Sequence, residues 1–319
     1  MDCNTRCFGY VSKIITKNTI QMDLSNQMYI VGIGEVLWDM LPEGKQLGGA
    51  PANFAHHVAQ CAMPSYLVSA VGNDALGEEI RSTLAEKKGL KTLIHTVPQP
   101  TGTVEVKLDE QGVPQYDICE NVAWDNIPFT PEMEELAKHT MVVCFGTLAQ
   151  RSEVSRKTIE TFVAAMHEEA VKVCDINLRG NYYTAEIVES SLKMADMIKV
   201  NREEMEEVCR LVGIEFTDMH SVARVLIDNY GLDMLVVTCG TEGSFVYCQD
   251  ENASCLPTPK VEVVDTVGAG DAFTAVFVSG MVGGLEVRWA HALAVEAAAH
   301  VCTQAGATPE LPDDIRERV

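Results

Sequence analysis

The sequence is short of positive charge. Twenty-four Lys and Arg stand against 46 Asp and Glu, a formal net charge of −22 over 319 residues. A general surface for nucleic acid or anionic lipid needs clustered cations, so neither partner is expected. An anionic cofactor must instead be held locally, by backbone amides and a metal ion. The chain also lacks any Cys-x-x-Cys pair: its eleven cysteines are scattered, with only Cys3 and Cys7 close together. Without metal-knuckle spacing, free thiols in a reducing cytosol are the expectation, and with them a cytoplasmic protein. A membrane span is lacking too. The longest stretch near the C-terminus without Lys or Arg is interrupted by Asp271 and several glycines, poor material for the bilayer.

What is present is a globular composition, 47% hydrophobic and 22% charged, long enough for one large α/β domain or two smaller ones. Residues 1–27 carry no continuous apolar centre of a secretory signal and are treated as a poorly ordered extension. From Met28 onward short apolar runs alternate with helical segments: apolar 141–145, helical 151–169, apolar 171–176, helical 185–194, apolar 197–200, helical 202–211. That alternation predicts right-handed crossovers and a mainly parallel sheet covered on both faces. In such sheets ligands gather at the carboxyl ends of strands. Two segments break the pattern. Residues 35–40 alternate apolar with acidic residues before Pro42, and 103–119 read as a hairpin with Gly112 at its turn.

The chain is organised around VVDTVGAGDAFTAVF, Val263 to Phe277. The turn Gly268-Ala269-Gly270 stands at a helix start, where free amides and the dipole favour an anion. Asp271 follows at once, placed to accept a proton from a hydroxyl that attacks a phosphoryl group. Taken alone, a GxGD is as readily a tight connection before a helix's first-turn acid. Leu47 to Gln60, LGGAPANFAHHVAQ, is a second feature. Asp39, Gly48, Gly49 and Asn53 form a set suited to sugar hydroxyls, against the plainer view of a glycine loop and a local cap. His56 and His57 read as helix-face residues, and Asp74 in VGNDALG as structural.

Three polar clusters fall at strand ends. In CDINLRG, Asp175 and Asn177 precede Arg179, a donor fork for phosphate or substrate oxygens or else half of a surface ion pair. KVNREEMEEV carries Asn201 and Glu204, which could equally begin a solvated acidic helix face. VVTCGTEGSFVY carries Thr238, Gly240 and Gly243, a turn that suits a nucleotide along exposed backbone or any hairpin.

DTVGAGDAF, the GGxxxN pattern after an early aspartate, VGNDALG and the Asn201-x-x-Glu204 element occur together in the order of the ribokinase-like (PfkB) sugar kinases. From Met28 to the end the chain resembles that family, and EVLWDMLPEGKQLGGAPANFA most resembles bacterial fructokinases. The resemblance implies a three-layer α/β/α ribokinase-like fold with a small β-sheet lid, discontinuous in sequence (about 36–46 and 100–121), whose edge joins two subunits in a homodimer. It implies ATP and Mg2+ as cofactors and a small sugar as substrate, fructose phosphorylated at its 6-hydroxyl first, with ribose or 2-keto-3-deoxygluconate as alternatives. Asp271 would be the base; Gly268, Ala269 and Gly270 the anion cradle; Asp39, Gly48, Gly49, Asn53 and Arg179 the sugar site. Asn201, Thr238, Gly240 and Gly243 would meet the nucleotide, and Glu204 the magnesium through water. Asp265 and Val267 match positions that hold a monovalent cation in relatives, making potassium a candidate ion. Val295 stands where relatives often have Asn near adenine, in a region closed by Ala305-Gly306-Ala307. Tyr116 is the lid's aromatic, without the neighbouring aromatic and Arg run suited to a carboxylate sugar.

Two other classes compete. A catalytically silent sugar-binding regulator could share the fold, though an intact GAG turn with Asp271 speaks against it. A nicotinamide oxidoreductase built on Gly32-Ile33-Gly34-Glu35 lacks the third glycine of the dinucleotide fingerprint.

Overall fold

The computed structural model describes residues 27–42, 44–108, 114–249 and 251–319, the side chains of 106–108, 114–116 and 251–253 excepted. The expected N-terminal extension, Gln27 apart, the Gly112 turn and the Tyr116 side chain therefore lie outside the described residues.

Nine strands make the main sheet: β1 (Tyr29–Ile33), β4 (Ser65–Gly72), β5 (Leu90–Val97), β8 (Thr140–Gly146), β9 (Val171–Asp175), β10 (Met197–Asn201), β11 (Met234–Thr238), β12 (Ser244–Cys248) and β13 (Glu251–Leu256). Their order is β13-β12-β11-β10-β9-β8-β1-β4-β5. Every pairing is parallel except β11 with β12 and β12 with β13, an antiparallel extension at one edge. The central strands β1, β4, β8 and β11 are mainly apolar along their length because both faces are covered.

Alternate residues of each strand point to opposite faces, and the core divides accordingly. On one face Ile30, Val142, Val173, Met197 and Val236 pack with Phe54 of α1 (Ala50–Gln60), with Phe273 and Phe277 of α8 (Ala269–Val282) and with Ala290 of α9 (Val287–Cys302). On the other, Val31, Val143, Cys174, Ile198 and Leu235 pack against Met133 of α3 (Pro131–Lys138), Phe162 of α4 (Glu153–Ala165), Leu192 of α5 (Ala185–Met194), Val208 of α6 (Arg202–Val212) and Leu226 of α7 (Met219–Tyr230). The result is three layers. The helix expected over 151–169 is shorter at both ends, because Leu148–Arg151 forms a separate 3-10 turn and Met166 turns extended.

The two segments that broke the alternation pair with each other. β2 (Leu37–Leu41), β3 (Gly44–Gly48), β6 (Thr103–Leu108) and β7 (Pro114–Ile118) form a separate sheet in the order β3-β2-β6-β7. Trp38 of β2 is buried, whereas Asp39 is half-buried and Met40 exposed. Between the sheets, α2 (Ala75–Ala85) starts at Asp74, whose carboxylate accepts from the Gly77 amide at 2.8 Å and the Thr101 amide at 2.8 Å. A cap of this kind is worth about 1 kcal/mol, and here it also ties the helix to the strand connection leading into β6. Among the described residues none of the nine cysteines is in a disulfide, and no helix is long and apolar enough to cross a membrane.

Candidate active site

α8 begins at Gly268, whose left-handed backbone (φ 78°) suits glycine. A side chain there would collide with the carbonyl of Ala307 in the closing turn. The Ala269 amide makes a long bond of 3.3 Å to the Thr266 carbonyl, while the helical ladder starts with Ala272 donating to Gly268 at 2.8 Å. The amides of Gly270 and Asp271 precede that ladder, at the positive end of the helix. Val263 and Val264, just upstream, lie in no strand and are exposed.

Asp271 is pushed up to about 7, first by burial and then by the negative Asp175; Asn53, Lys199 and Arg179 act in the opposite direction. Asn53 donates its side-chain amide to Asp271 Oδ2 at 2.8 Å. The asparagine is thus a bridge between two helices rather than a local cap. It comes from the first turn of α1, which starts directly after Gly48 and Gly49. Gly49 (φ 111°) is required by packing, since a side chain there would strike the Glu35 carbonyl, while Gly48 lies directly against the Asp39 carboxylate. Burial raises Asp39 to about 6, with Arg179 opposing. Glu35, which ends the Gly-Ile-Gly-Glu run, is itself buried with a raised pKa and no hydrogen-bond partner for its Oε2.

Arg179 lies exposed after β9, its Nη1 donating to the Leu178 carbonyl at 3.1 Å. Its charge opposes the raised pKa of Glu35, Asp39, Glu204 and Asp271 alike, so the guanidinium stands near all four acids. Asn177 beside it adopts a left-handed conformation (φ 45°). Asp175 is buried and meets Lys199 at 2.7 Å.

Asn201 caps α6 and accepts from the Glu204 amide at 2.7 Å. Glu204 Oε2 accepts from the Asn201 amide at 2.8 Å and Oε1 from the Leu178 amide at 2.9 Å. Glu204 thus clamps two strand-end loops, and burial raises its pKa. Each oxygen keeps a lone pair for water. Asn201 and Thr238 are register neighbours on β10 and β11. Beyond them Gly240 (φ 52°) and Gly243 (φ 117°) make the turn into β12, and a side chain on Gly243 would strike the Leu256 carbonyl. Asp265 accepts from the Val267 amide at 3.0 Å and the Gly306 amide at 3.1 Å, joining the anion turn to the closing turn. Val295 packs in the apolar layer beside α8, so it offers an adenine ring no polar contact.

Residues 42–314 match the model of the pfkB family carbohydrate kinases. The chain belongs to that family. It is 31% identical to a fructokinase of Vibrio alginolyticus over 265 residues, 78% of this chain and 81% of the relative. It is 28% identical to an ATP-dependent 6-phosphofructokinase of Thermoanaerobacterium thermosaccharolyticum over 301 residues, 89% and 91%. Among solved structures, an uncharacterized sugar kinase of Pyrococcus horikoshii in complex with ATP is 26% identical, covers 91% of this chain and 100% of its own, and superposes with a TM-score of 0.74. This member of the pfkB family is a sugar kinase, a phosphotransferase with an alcohol acceptor, on the ribokinase-like fold.

The fold brings together Asp271, Asn53, Arg179 and the glycines of both turns, and packs Asp39 on Gly48. Two buried charged residues beside these groups escaped the sequence reading, Lys199 and Glu35. Each had a signal: a lysine inside an apolar strand, and a glutamate ending one.

Proposed function

We propose that this carbohydrate kinase transfers the γ-phosphoryl group of ATP to the 6-hydroxyl of fructose. The observation that carries the reading is the 2.8 Å bond from Asn53 to Asp271. It joins the sugar-side helix that follows Gly48-Gly49 to the anion turn of α8, across 218 residues of sequence. Asp39, Asn53 and Arg179 hold the sugar hydroxyls, and Asp271 takes the proton of the primary hydroxyl. As that oxygen bonds to phosphorus, the bond from phosphorus to the ADP oxygen breaks, and the negative charge on the moving group meets the amides of the Gly268-Ala269-Gly270 turn. A carboxyl near 7 is matched to this task at neutral pH.

The nucleotide lies along Asn201, Thr238, Gly240 and Gly243. Magnesium is the ion we place here: both oxygens of Glu204 already accept backbone amides, which fits a contact through water. Such a site fits an ion held mainly by water and phosphate oxygens, which when bound would neutralise phosphate charge. Asp265 and the Val267 carbonyl are the proposed monovalent cation ligands. The four-stranded sheet is the lid that keeps water from the transferred group, and its edge strands β3 and β7 are the proposed dimer surface.

The test is a panel of fructose, ribose, 2-keto-3-deoxygluconate, fructose 6-phosphate and adenosine, with coupled detection of ADP. Fructose is expected to give the highest kcat/KM. A higher value on another member replaces the substrate, and sugar binding without turnover on every member replaces the enzyme by a binding protein.

A further inference from the structure

One buried ion pair is used by no step above. Asp175 and Lys199 are register partners on β9 and β10. They share strand parity with Val173 and Met197, so both point toward the layer of α8. Lys199 Nζ lies 3.0 and 2.7 Å from the two Asp175 oxygens, and both residues are buried. The Thr274 hydroxyl, one turn into α8, is 3.1 Å from Asp175 Oδ2 and 3.0 Å from the Gly270 carbonyl. A β-carbon on Gly270 would come 3.1 Å from Lys199 Nζ, which puts the ammonium directly behind the anion turn. A cavity of about 10 Å³, the size of one water, is lined by Gly146, Asp175, Asp271 and Thr274.

We infer that Asp175 and Lys199 are positioning residues that set the ionisation of Asp271 from behind the anion turn. This rests on the kinase reading only for its consequence in turnover; the coupling itself follows from the buried geometry. A pair of charges in a poorly hydrated layer acts strongly on a third. The groups facing Asp271 are Asn53 from α1, the Cys144 thiol from β8, Asp175 from β9, Arg179 from the loop after it and Lys199 from β10. Asp175 disfavours the carboxylate of Asp271 and Lys199 favours it, so removing each must move Asp271 in opposite directions. A role confined to packing would move it in neither.

The experiment is a titration of the Asp271 carboxyl by carbon NMR on full-length protein without nucleotide, assigned with Asp271→Asn, alongside the pH profile of kcat/KM. Asp175→Asn should lower the Asp271 midpoint by about one pH unit or more, and Lys199→Met should raise it by about as much. Lys199→Met strands a buried carboxylate and can fail to fold; the double variant Asp175→Asn/Lys199→Met, which buries no charge at either position, then takes its place. Its midpoint should fall below the wild type but above Asp175→Asn. Unmoved midpoints, or shifts of one sign in both single variants, overturn the inference. Because the carboxyl titration needs no turnover, absence of kinase activity on every sugar would defeat the functional reading and leave this test intact.

Discussion

The floor and the cover of the site are built differently. The floor, at the carboxyl ends of the main-sheet strands, is cross-linked: Asn53 to Asp271, Lys199 to Asp175, Thr274 to Asp175 and Gly270, Glu204 to two loops. Burial first, and then the charge of Asp175, raises the pKa of Asp271 and Glu204. The cover is a four-stranded sheet in which Asp39 is half-buried and Met40 exposed, joined to the floor through short stretches such as Gly48-Gly49. Chemistry demands fixed charges, whereas substrate entry demands an element that can yield. Changes in the floor should therefore appear in kcat and in pH dependence, and changes in the cover in KM for the sugar.

The largest effect tests the floor. Asp271→Asn should lower kcat by about 10³-fold, within the range of a lost general base, with sugar affinity measured by calorimetry nearly unchanged. Its stability should diverge from the parent in a defined window. A carboxyl at about 7 in the folded protein and near 3.8 when unfolded binds extra protons in the native state between those values, so the parent loses stability as pH rises through the window. The Asn variant escapes that loss. It should melt higher than the parent at pH 8, by a margin that shrinks toward pH 4; a constant margin would contradict the burial of Asp271.

The next tests the cover. Asp39→Ala should raise KM for the sugar by about 10- to 100-fold, as for the loss of charge-assisted hydrogen bonds, and leave KM for ATP within about two-fold. Equal losses for both ligands would erase the proposed division between cover and floor. Asn53→Ala sits at their junction. It removes the donor that favours the Asp271 carboxylate, so the rise of kcat/KM with pH, expected near 7 in the parent, should move to higher pH. At pH 7 the rate should fall about ten-fold, and recover in part at pH 9 in a full pH profile.

The sequence made the floor's frame legible because its signals are local. The alternation of apolar and helical segments follows from burial of both sheet faces, and Gly268 to Asp271 announces a helix start by composition alone. Pairing was less visible. That residues 36–46 would hydrogen-bond with 103–119 depends on contacts across sixty residues, which periodicity does not encode; family resemblance supplied it. Asn53 could be read as a sugar-side residue or as a local cap, because its partner Asp271 lies in another helix. Lys199 was passed over because a cation in an apolar strand has meaning only once Asp175 is seen beside it. Glu204 read as a metal-side acid, and the fold adds that both its oxygens already hold backbone amides.

The smallest effect concerns how the floor is fastened to the chain's end. His57, on α1, is buried and its Nε2 lies 3.0 Å from the Ala307 carbonyl, which presses on Gly268. Gln60, one turn later, accepts from the Leu311 amide at 2.6 Å and donates to the Pro309 carbonyl at 3.0 Å. Helix α1 therefore carries the sugar-side Asn53 at one end and clamps the closing turn at the other. His57→Leu keeps the bulk and leaves the carbonyl unpaired, a cost of about 1–3 kcal/mol, visible in chemical denaturation at pH 8. Burial lowers His57 to about 4, against 6.5 unfolded. The unfolded chain then binds the extra proton between those values, so the parent loses stability as pH falls through them. Leucine has no proton to gain, and its deficit should narrow from pH 7 to pH 4.5. A deficit that instead widens on acidification would mean a charged His57 in the fold and a different fastening of the anion turn.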